Sequence, residues 1–507
     1  MPPMIGNILA PSGLTAQDTA SLSMNVWWVV GISVLIVLIS VLVFRLHAFL
    51  TLLLAGLLVA SLSTSANLNR YAQAKVSEGK MSEAAAISFV SQSPPSRLAT
   101  SFGETAGKIG ILIALASVIG QCLLESGAAS TIVDSILKIT GQRRAPEALS
   151  ASSFVIGIPV YFDTVFYLMV PLARSLRRRL GKDYVLFLMA IMAGGSIAHS
   201  LVPPTPGPLQ VAEIIGVDIG TMMIAGLAIG GCSSVFSLMA ARVINRLVDV
   251  PLRPLSDSDA TNESESRAMP PQGEAADASR PSLIASILPI VIPVAMIGTG
   301  SVGGYLIQSG SLDLAGAASW MRTLGDKNIA ISVGAAFAMS LIRYCPASTR
   351  KSLVNRSLSS AGNIILITSA GGAFGAMLYQ AGIAAAIADL TGDLPGLLLL
   401  PLAFLVTASI RTLQGSATIA MITAAGVLQA FAHAESLPFH PVYLAMAIGA
   451  GSKPISWMTD SGFWVITRMS GMTESEGLRV IAPMTIAMGF SALFFTMVFA
   501  FLFPGVS

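Results

Sequence analysis

An all-α polytopic membrane protein is what the sequence predicts, built as an inverted repeat with about ten spans, two opposed re-entrant hairpins and two broken helices. Three observations carry this prediction. Of 507 residues, 54% are hydrophobic and 11% charged, with a mean hydropathy of +0.75, whereas soluble domains carry about 25% charged residues. Motifs of the first half recur in the second at near-constant offsets. Loops that correspond between the halves differ sharply in basic residues. The net charge is only +3, so the placement of Lys and Arg is more informative than their sum. Cys122, Cys232 and Cys345 are scattered through apolar segments in no metal-ligand or disulfide spacing and read as small core residues.

Taken in order, residues 1–24 hold no Lys or Arg and so lack the basic region of a signal peptide. They are expected to form an external tail. Spans follow at 25–44 and 48–65, joined by Arg45–Leu46–His47. A polar stretch, 66–104, leads to a span at 105–124 and an interfacial helix at 125–140. Residues 147–173 are apolar but interrupted by Gly157–Thr164 (G-I-P-V-Y-F-D-T), which predicts a hairpin.

The segment 184–216 is interrupted at Gly195–Pro208, fourteen residues with four prolines, two glycines and His199. Each proline removes a backbone donor and clashes with the preceding turn, so residues 200–207 are expected to be unwound. Open backbone is tolerated at membrane depth only where it is covered or lines a polar cavity. The alternative is an extramembrane loop, but Tyr184–Ala193 would then have to cross alone, and a span takes about 20 residues. A span at 221–246 with Gly226 and Gly230 as a small-residue packing face ends the N-terminal repeat, 25–249. Residues 250–281, rich in Pro, Ser, Asp and Glu, are expected to be a disordered linker.

The C-terminal repeat, 282–507, runs in the same order: 282–307, 328–343, 358–378, an amphipathic piece 380–390, a hairpin 394–430, a broken helix 441–470 and 478–503. An offset of 255 carries Gly120, Leu123, Gly127, Ala129, Ile132 and Asp134 onto Gly375, Leu378, Gly382, Ala384, Ile387 and Asp389. An offset of 256 carries Leu188, Gly195, Ser196 and Ser200 onto Leu444, Gly451, Ser452 and Ser456. Two separate motifs with constant offsets indicate an internal duplication.

Charge sets the relative orientation. The loop 174–182 carries Arg174, Arg177, Arg178, Arg179 and Lys182, while 431–440 carries no Lys or Arg. Arg143 and Arg144 precede the first hairpin, and Thr391–Gly392–Asp393 the second. Under the positive-inside rule the first hairpin enters from the cytoplasm and the second, with its tip at Arg411–Thr418, from outside. Both termini then lie outside and the linker inside. Of the 29 Lys and Arg only Arg70, Lys75, Lys80, Arg97, Arg322 and Lys327 fall outside. Lys108, Arg411 and Lys453 fall within hydrophobic segments, and all others are cytoplasmic.

Polar groups at membrane depth are the functional candidates, since one charge there costs about 2.5–3.5 kcal/mol even on the gentler scale. Tips and breaks are expected to meet at one midplane site. Its members would be Gly157, Asp163, Thr164, Ser196, His199, Thr205, Arg411, Gln414, Gly415, Ser416, Thr418, Ser452, Ser456, Asp460 and Ser461. Arg411, whose planar fork matches a carboxylate, is assigned to an anionic substrate. The Ser, Thr and Gln groups suit hydroxyls, and helix N-termini at the tips and breaks attract anions. Histidine titrates near neutrality, so His199 and Asp163 are the first candidates for a coupling proton, with Asp460 next. Each has a structural alternative: Asp163 and Thr164 as a helix cap, His199 as a neutral core residue, Arg411 and Asp460 as a mutual pair. Lys453 and Lys108 have one too, as snorkelling side chains.

Gly157–Thr164, His199–Pro208 (H-S-L-V-P-P-T-P-G-P), Gln414–Thr418 (Q-G-S-A-T) and Thr459–Trp464 (T-D-S-G-F-W) together resemble the gluconate permease family, sugar-acid:proton symporters of the ion transporter superfamily. The likeness runs from about residue 25 to the C-terminus, outside 66–104 and 250–281. It implies a cytoplasmic (inner) membrane protein with a scaffold that dimerises and a transport domain that moves as an elevator. The cargo it implies is gluconate or a related small hydroxylated carboxylate, since relatives also move fructuronate, idonate and D-serine. The chain departs from the family pattern at Asp163 (often Glu), Thr205 (often His), Trp457 (His in some) and Thr459 (Asn). A sodium-coupled carboxylate symporter is the nearest alternative, because unwound carbonyls and hydroxyls also bind Na⁺. A channel would want a continuous polar path. A membrane-embedded enzyme would want a motif such as H-E-x-x-H or G-x-S-x-G, and the sequence has neither. No cofactor, metal or nucleic acid is expected.

Overall fold

The computed structural model describes residues 26–253 (apart from 27, 34, 38, 41–43, 45 and 78–80), 280–308, 320–382 (apart from 322), 396–432, 437–457 and 460–505. The expected external tail, nearly all of the linker and the amphipathic piece beyond Gly382 lie outside the described residues, as does part of 431–440. The described residues are helical, with no strand among them.

After a short apolar helix around Trp28–Val37 come α1 (Ala48–Leu62), α2 (Ser65–Ser77), α3 (Glu83–Ser91), α4 (Pro94–Glu125) and α5 (Ala128–Thr140). Next are α6 (Ala145–Gly157), α7 (Phe162–Leu180), α8 (Tyr184–Leu201), α9 (Pro206–Ile215) and α10 (Ile219–Leu247). Beyond the linker, α11 (Leu283–Gln308), α12 (Lys327–Ser340) and α13 (Ala347–Gln380) precede α14 (Leu399–Gln414) and α15 (Ala417–Ala432). The chain closes with α16 (Pro441–Gly451), α17 (Ser461–Ser470) and α18 (Glu474–Leu502).

Several boundaries differ from the sequence reading: the polar stretch 66–104 carries α2, α3 and the start of α4, and the span expected at 358–378 begins at Ala347. The expected span 48–65 is α1, which turns by 99° into α2 at Ser63–Thr64. The span expected at 105–124 begins eleven residues earlier, at Pro94. Ser93 caps that start by accepting from the Ser96 N–H, and prolines are tolerated in a first turn because its N–H groups have no intrahelical acceptor. By length and composition six described stretches can cross a membrane, α8 and α9 counting as one, and α1 with α2 makes a seventh. The expectation of ten included shorter apolar helices such as Lys327–Ser340.

The packing pairs elements at corresponding places in the two halves. The long helices α4 and α13 cross each other; α1 lies against α13, and its counterpart α12 against α4. Helix α6 packs on α8 as α14 does on α16, and α10 packs on α18. Close crossings need small residues: a Cβ on Gly194 would meet the Ser150 carbonyl oxygen at 1.9 Å, and one on Gly451 the Phe404 carbonyl oxygen at 2.5 Å. The turn ending α4 recurs 255 residues on. Ser126 N–H donates to Cys122 O and Leu124 O, and Ala381 N–H to Met377 O and Tyr379 O. The glycines that follow, Gly127 and Gly382, have φ of +76° and +92°, a region that glycine enters without strain.

One end of the molecule gathers the basic loop. Arg174 donates to Arg253 O (2.5 Å), Tyr184 Oη to Ser470 O (2.9 Å), and Arg253 grips Glu476 with both terminal nitrogens (2.6 and 2.8 Å). The α16 start belongs to a different cluster, where His440 N–H donates to Pro504 O (2.7 Å) and Tyr443 Oη to Phe503 O (2.7 Å).

Candidate functional site

Both helix breaks are shorter or more structured than the prolines suggested. Helix α8 runs through His199 to Leu201, and only Val202–Thr205 is non-helical, with Pro203–Pro204 cis. Pro206 and Pro208 lie in the first turn of α9, where a missing N–H costs nothing. Thr205 Oγ1 lies within donating distance of His199 O (2.9 Å) and Val202 O (2.8 Å), and its one proton is shared between carbonyls that the break leaves open. In the second break, Ser456 N–H donates to Thr485 Oγ1 (3.1 Å) and Trp457 Nε1 to Thr412 O (2.8 Å), tying it to α18 and α14. Asp460 caps α17 through the Gly462 N–H (2.9 Å).

The hairpin tips are tight. Helix α6 ends at Gly157, Ile158–Tyr161 make the turn, and Asp163 stands in the first turn of α7, where the helix dipole favours a negative charge. The N-cap, Tyr161, makes no side-chain cap. At the second tip Gly415, with φ +81°, ends α14, and Ser416 Oγ accepts from the Ile419 N–H (3.4 Å) at the start of α15.

The tips and breaks enclose one cavity of about 410 Å³. Of the predicted residues, Asp163, Ser196, His199, Arg411, Ser416, Thr418, Ser452, Ser456 and Asp460 line it. Its charges differ in their partners. The buried Arg411 guanidinium donates from Nε to Ser452 O (3.1 Å), and from its terminal nitrogens to Gly415 O and the Asp460 carboxylate. Asp460 also accepts from Ser456 Oγ. Three of the five N–H donors of Arg411 are thus held by protein acceptors, and the pair locks the second tip to the second break. Asp460, expected to bind substrate or proton, likewise has its oxygens taken up by Arg411, Ser456 and Gly462.

Lys453 is differently placed. Its ammonium reaches from the second break to the first broken helix and donates to Ser196 O (2.8 Å) and Ser196 Oγ (2.9 Å). An ammonium has three donors, two of them used on Ser196, and Lys453 lines the cavity. Asp163, Asp460, Arg411 and His199 all lie within its electrostatic reach. His199 packs edge-on to Tyr161, with centroids 5.9 Å apart, and its Nδ1 is buried without a hydrogen-bond partner among the described residues.

Four predicted residues do not line the cavity. Gly157 is a packing glycine whose Cβ would meet Gly195 O at 3.0 Å. Thr164 lies outside the lining, Thr205 closes the break, and Gly415 supplies the turn. The side chains of Gln414 and Ser461, and the whole of Thr459, lie outside the described residues. The cavity also takes Tyr161, Thr485 and a wall of α13 that the sequence reading missed: Ser360, Asn363, Ile364, Ile367 and Thr368. These recur at 3.6-residue spacing, so one face of α13 carries them all. The mixed polar and apolar character of that stripe was the available signal. Among the described residues no cluster of His, Cys, Asp and Glu is arranged to hold a metal.

Known proteins agree with this architecture. A family model described as GntP family permease matches residues 91–502. The inner membrane permease YgbN of Escherichia coli (strain K12) is 30% identical over 408 residues, covering 78% of this chain and 86% of that protein. The low-affinity gluconate transporter of the same organism is 27% identical over 469 residues, covering 90% of this chain and 94% of its own length. The Alcanivorax borkumensis YdaH transporter shares the fold, with a TM-score of 0.54 at 15% identity over 80% of this chain and 88% of that one. The matched residues take in both hairpins, both broken helices and every residue of the cavity, and this multi-pass cell-membrane protein, a permease and not an enzyme, belongs to the GntP family.

Proposed function

We propose that the protein is a secondary active transporter that imports a small hydroxylated carboxylate, gluconate or a related sugar acid, by proton symport. The observation that carries this reading is a cavity in which both hairpin tips and both helix breaks meet around two buried cations, Arg411 and Lys453. Lys453 takes the carboxylate, while Ser416, Thr418 and Ser452 offer hydroxyls to the polyol chain. Asp163 and His199, beside that cation, carry the proton. Arg411 with Asp460 frames the site. The kinship with a gluconate transporter supports the cargo class. The expected test is uptake of labelled gluconate into proteoliposomes with proton and sodium gradients imposed separately. A proton gradient alone should drive saturable accumulation. Accumulation that follows sodium would replace the coupling ion, and indifference to every sugar acid would remove the cargo class. Lys453→Gln should raise KM roughly ten- to a hundredfold, the worth of one hydrogen bond to a charged group.

The two repeats are inverted in this reading, the scaffold forms a homodimer, and the hairpins and broken helices move together as an elevator. The contrast between five basic residues in 174–182 and none in 431–440 supports the inversion. So does the clustering of Arg174, Arg253 and Glu476 apart from His440 and Pro504. Single cysteines introduced by Glu435→Cys and Arg178→Cys discriminate. An impermeant thiol reagent outside the cell should label the first and spare the second; the reverse pattern would sink the inverted topology.

A further inference from the structure

Helices α4 and α13 present corresponding faces in opposite states. The 255-residue offset that carries the end of α4 onto the end of α13 takes the cavity wall Ser360, Asn363, Ile364, Ile367 and Thr368 back to Thr105, Lys108, Ile109, Leu112 and Ile113. None of these five lines the cavity, and all but Lys108 are buried. Helix α9 covers this side, packing on both α4 and α13. Its counterpart α17 also ends in a left-handed glycine, Gly471 matching Gly216 at the same offset, yet packs chiefly on α7 and α18.

Two features sit where α9 is closed. Glu213 is held by Lys108 of α4 at 2.9 Å and by Lys327 of α12 at 3.7 Å, so Lys108 is an ion-pair partner and not merely a snorkelling side chain. One turn earlier, Gln210 is buried with both amide atoms unpartnered among the described residues. Its Nε2 would lie 2.9 Å from a Cβ on Gly372 of α13. A buried amide without partners is unfavourable and regains hydrogen bonds to water when α9 withdraws. The closed interface therefore opposes an electrostatic attraction to a desolvation penalty, as a reversible contact requires.

We propose that the Thr105–Ile113 face of α4 is the second wall of the transport cavity, exposed in the opposite-facing form, and that Glu213 clamped by Lys108 and Lys327 is the latch closing it here. The proposal rests on the alternating-access reading of the preceding section, under which this latch lies on the outer side and the described cavity opens inward. Release of Glu213 leaves two lysines at the outer mouth, where they draw in an organic anion.

The test uses the full-length chain with Cys122→Ala, Cys232→Ala and Cys345→Ala. In that background Ile109→Cys and its counterpart Ile364→Cys are reacted with an impermeant thiol reagent in right-side-out and inside-out vesicles. Ile364→Cys should react from the inner face, and Ile109→Cys only slowly from the outer face. Adding Glu213→Gln should speed Ile109→Cys roughly fivefold and slow Ile364→Cys, as expected when a partly exposed ion pair biases two states. Exchanging the charges, Lys108→Glu and Lys327→Glu with Glu213→Lys, should restore the original rates. Rates at both positions that ignore Glu213→Gln overturn the latch. Protection of Ile364→Cys by gluconate in that case would leave the transport site standing, whereas no protection by any sugar acid would count against that site instead.

Discussion

Arg411→Ala should abolish uptake and lower the thermal stability of the purified protein. The guanidinium is buried and serves Ser452 O, Gly415 O and the Asp460 carboxylate at once. Its removal leaves a buried carboxylate without its cation, a change that costs about 3–5 kcal/mol. Asp460 would still cap α17 and accept from Ser456, but the second tip would lose its tie to the second break. Arg411→Lys keeps the charge and loses the fork, so one ammonium must replace three directed donors and both measurements should fall to intermediate values. Arg411→Leu with Asp460→Leu should recover stability without recovering transport, since paired apolar replacement of a buried ion pair is often neutral or stabilising. Thermal unfolding followed beside gluconate uptake separates the alternatives. An Arg411→Ala protein as stable as the wild type, defective only in substrate affinity, would make Arg411 a direct substrate ligand after all.

Asp163→Asn should eliminate accumulation against a gradient yet permit exchange of labelled for unlabelled substrate. Asp163 stands in the first turn of α7 at the cavity wall and within electrostatic reach of Lys453. A carboxylate there can change its proton as the substrate anion arrives at the same cation, and that linkage is what coupling requires. Asparagine keeps the size and the polarity and removes the titration. Exchange should survive because it needs no net proton movement. His199, packed edge-on to Tyr161, is the other group proposed to carry the proton, and His199→Gln should shift the pH optimum of uptake. Wild-type accumulation and wild-type pH dependence in both variants would remove this pair from the mechanism.

The sequence by itself determined most of the elements and their order, though not α2 and α3, which lie in a stretch that reads only as polar. Apolar length, proline placement and turn glycines are properties of contiguous residues, so the hairpins around Gly157–Thr164 and Arg411–Thr418 and the breaks before Pro206 and Asp460 were legible in one dimension. So was the recurrence at 255 and 256 residues, because it is carried by the residues themselves. Helix starts were less legible: Ser93-Pro94-Pro95 looked like loop, although it opens α4, because a proline that breaks a helix interior is accommodated in a first turn.

Only the tertiary structure decided which partners the buried charges meet. The sequence assigns Arg411 to an anionic substrate and offers Lys453 as a snorkelling side chain, yet Arg411 meets acceptors at 415, 452 and 460 while Lys453 reaches across to Ser196. The wall of α13 and the clamp of Glu213 by Lys108 and Lys327 were hidden for the same reason. Whether a side chain meets a protein acceptor or a cavity depends on separations of a few ångströms between residues tens to hundreds of positions apart. Helix packing sets those separations, and no local pattern in the chain encodes them.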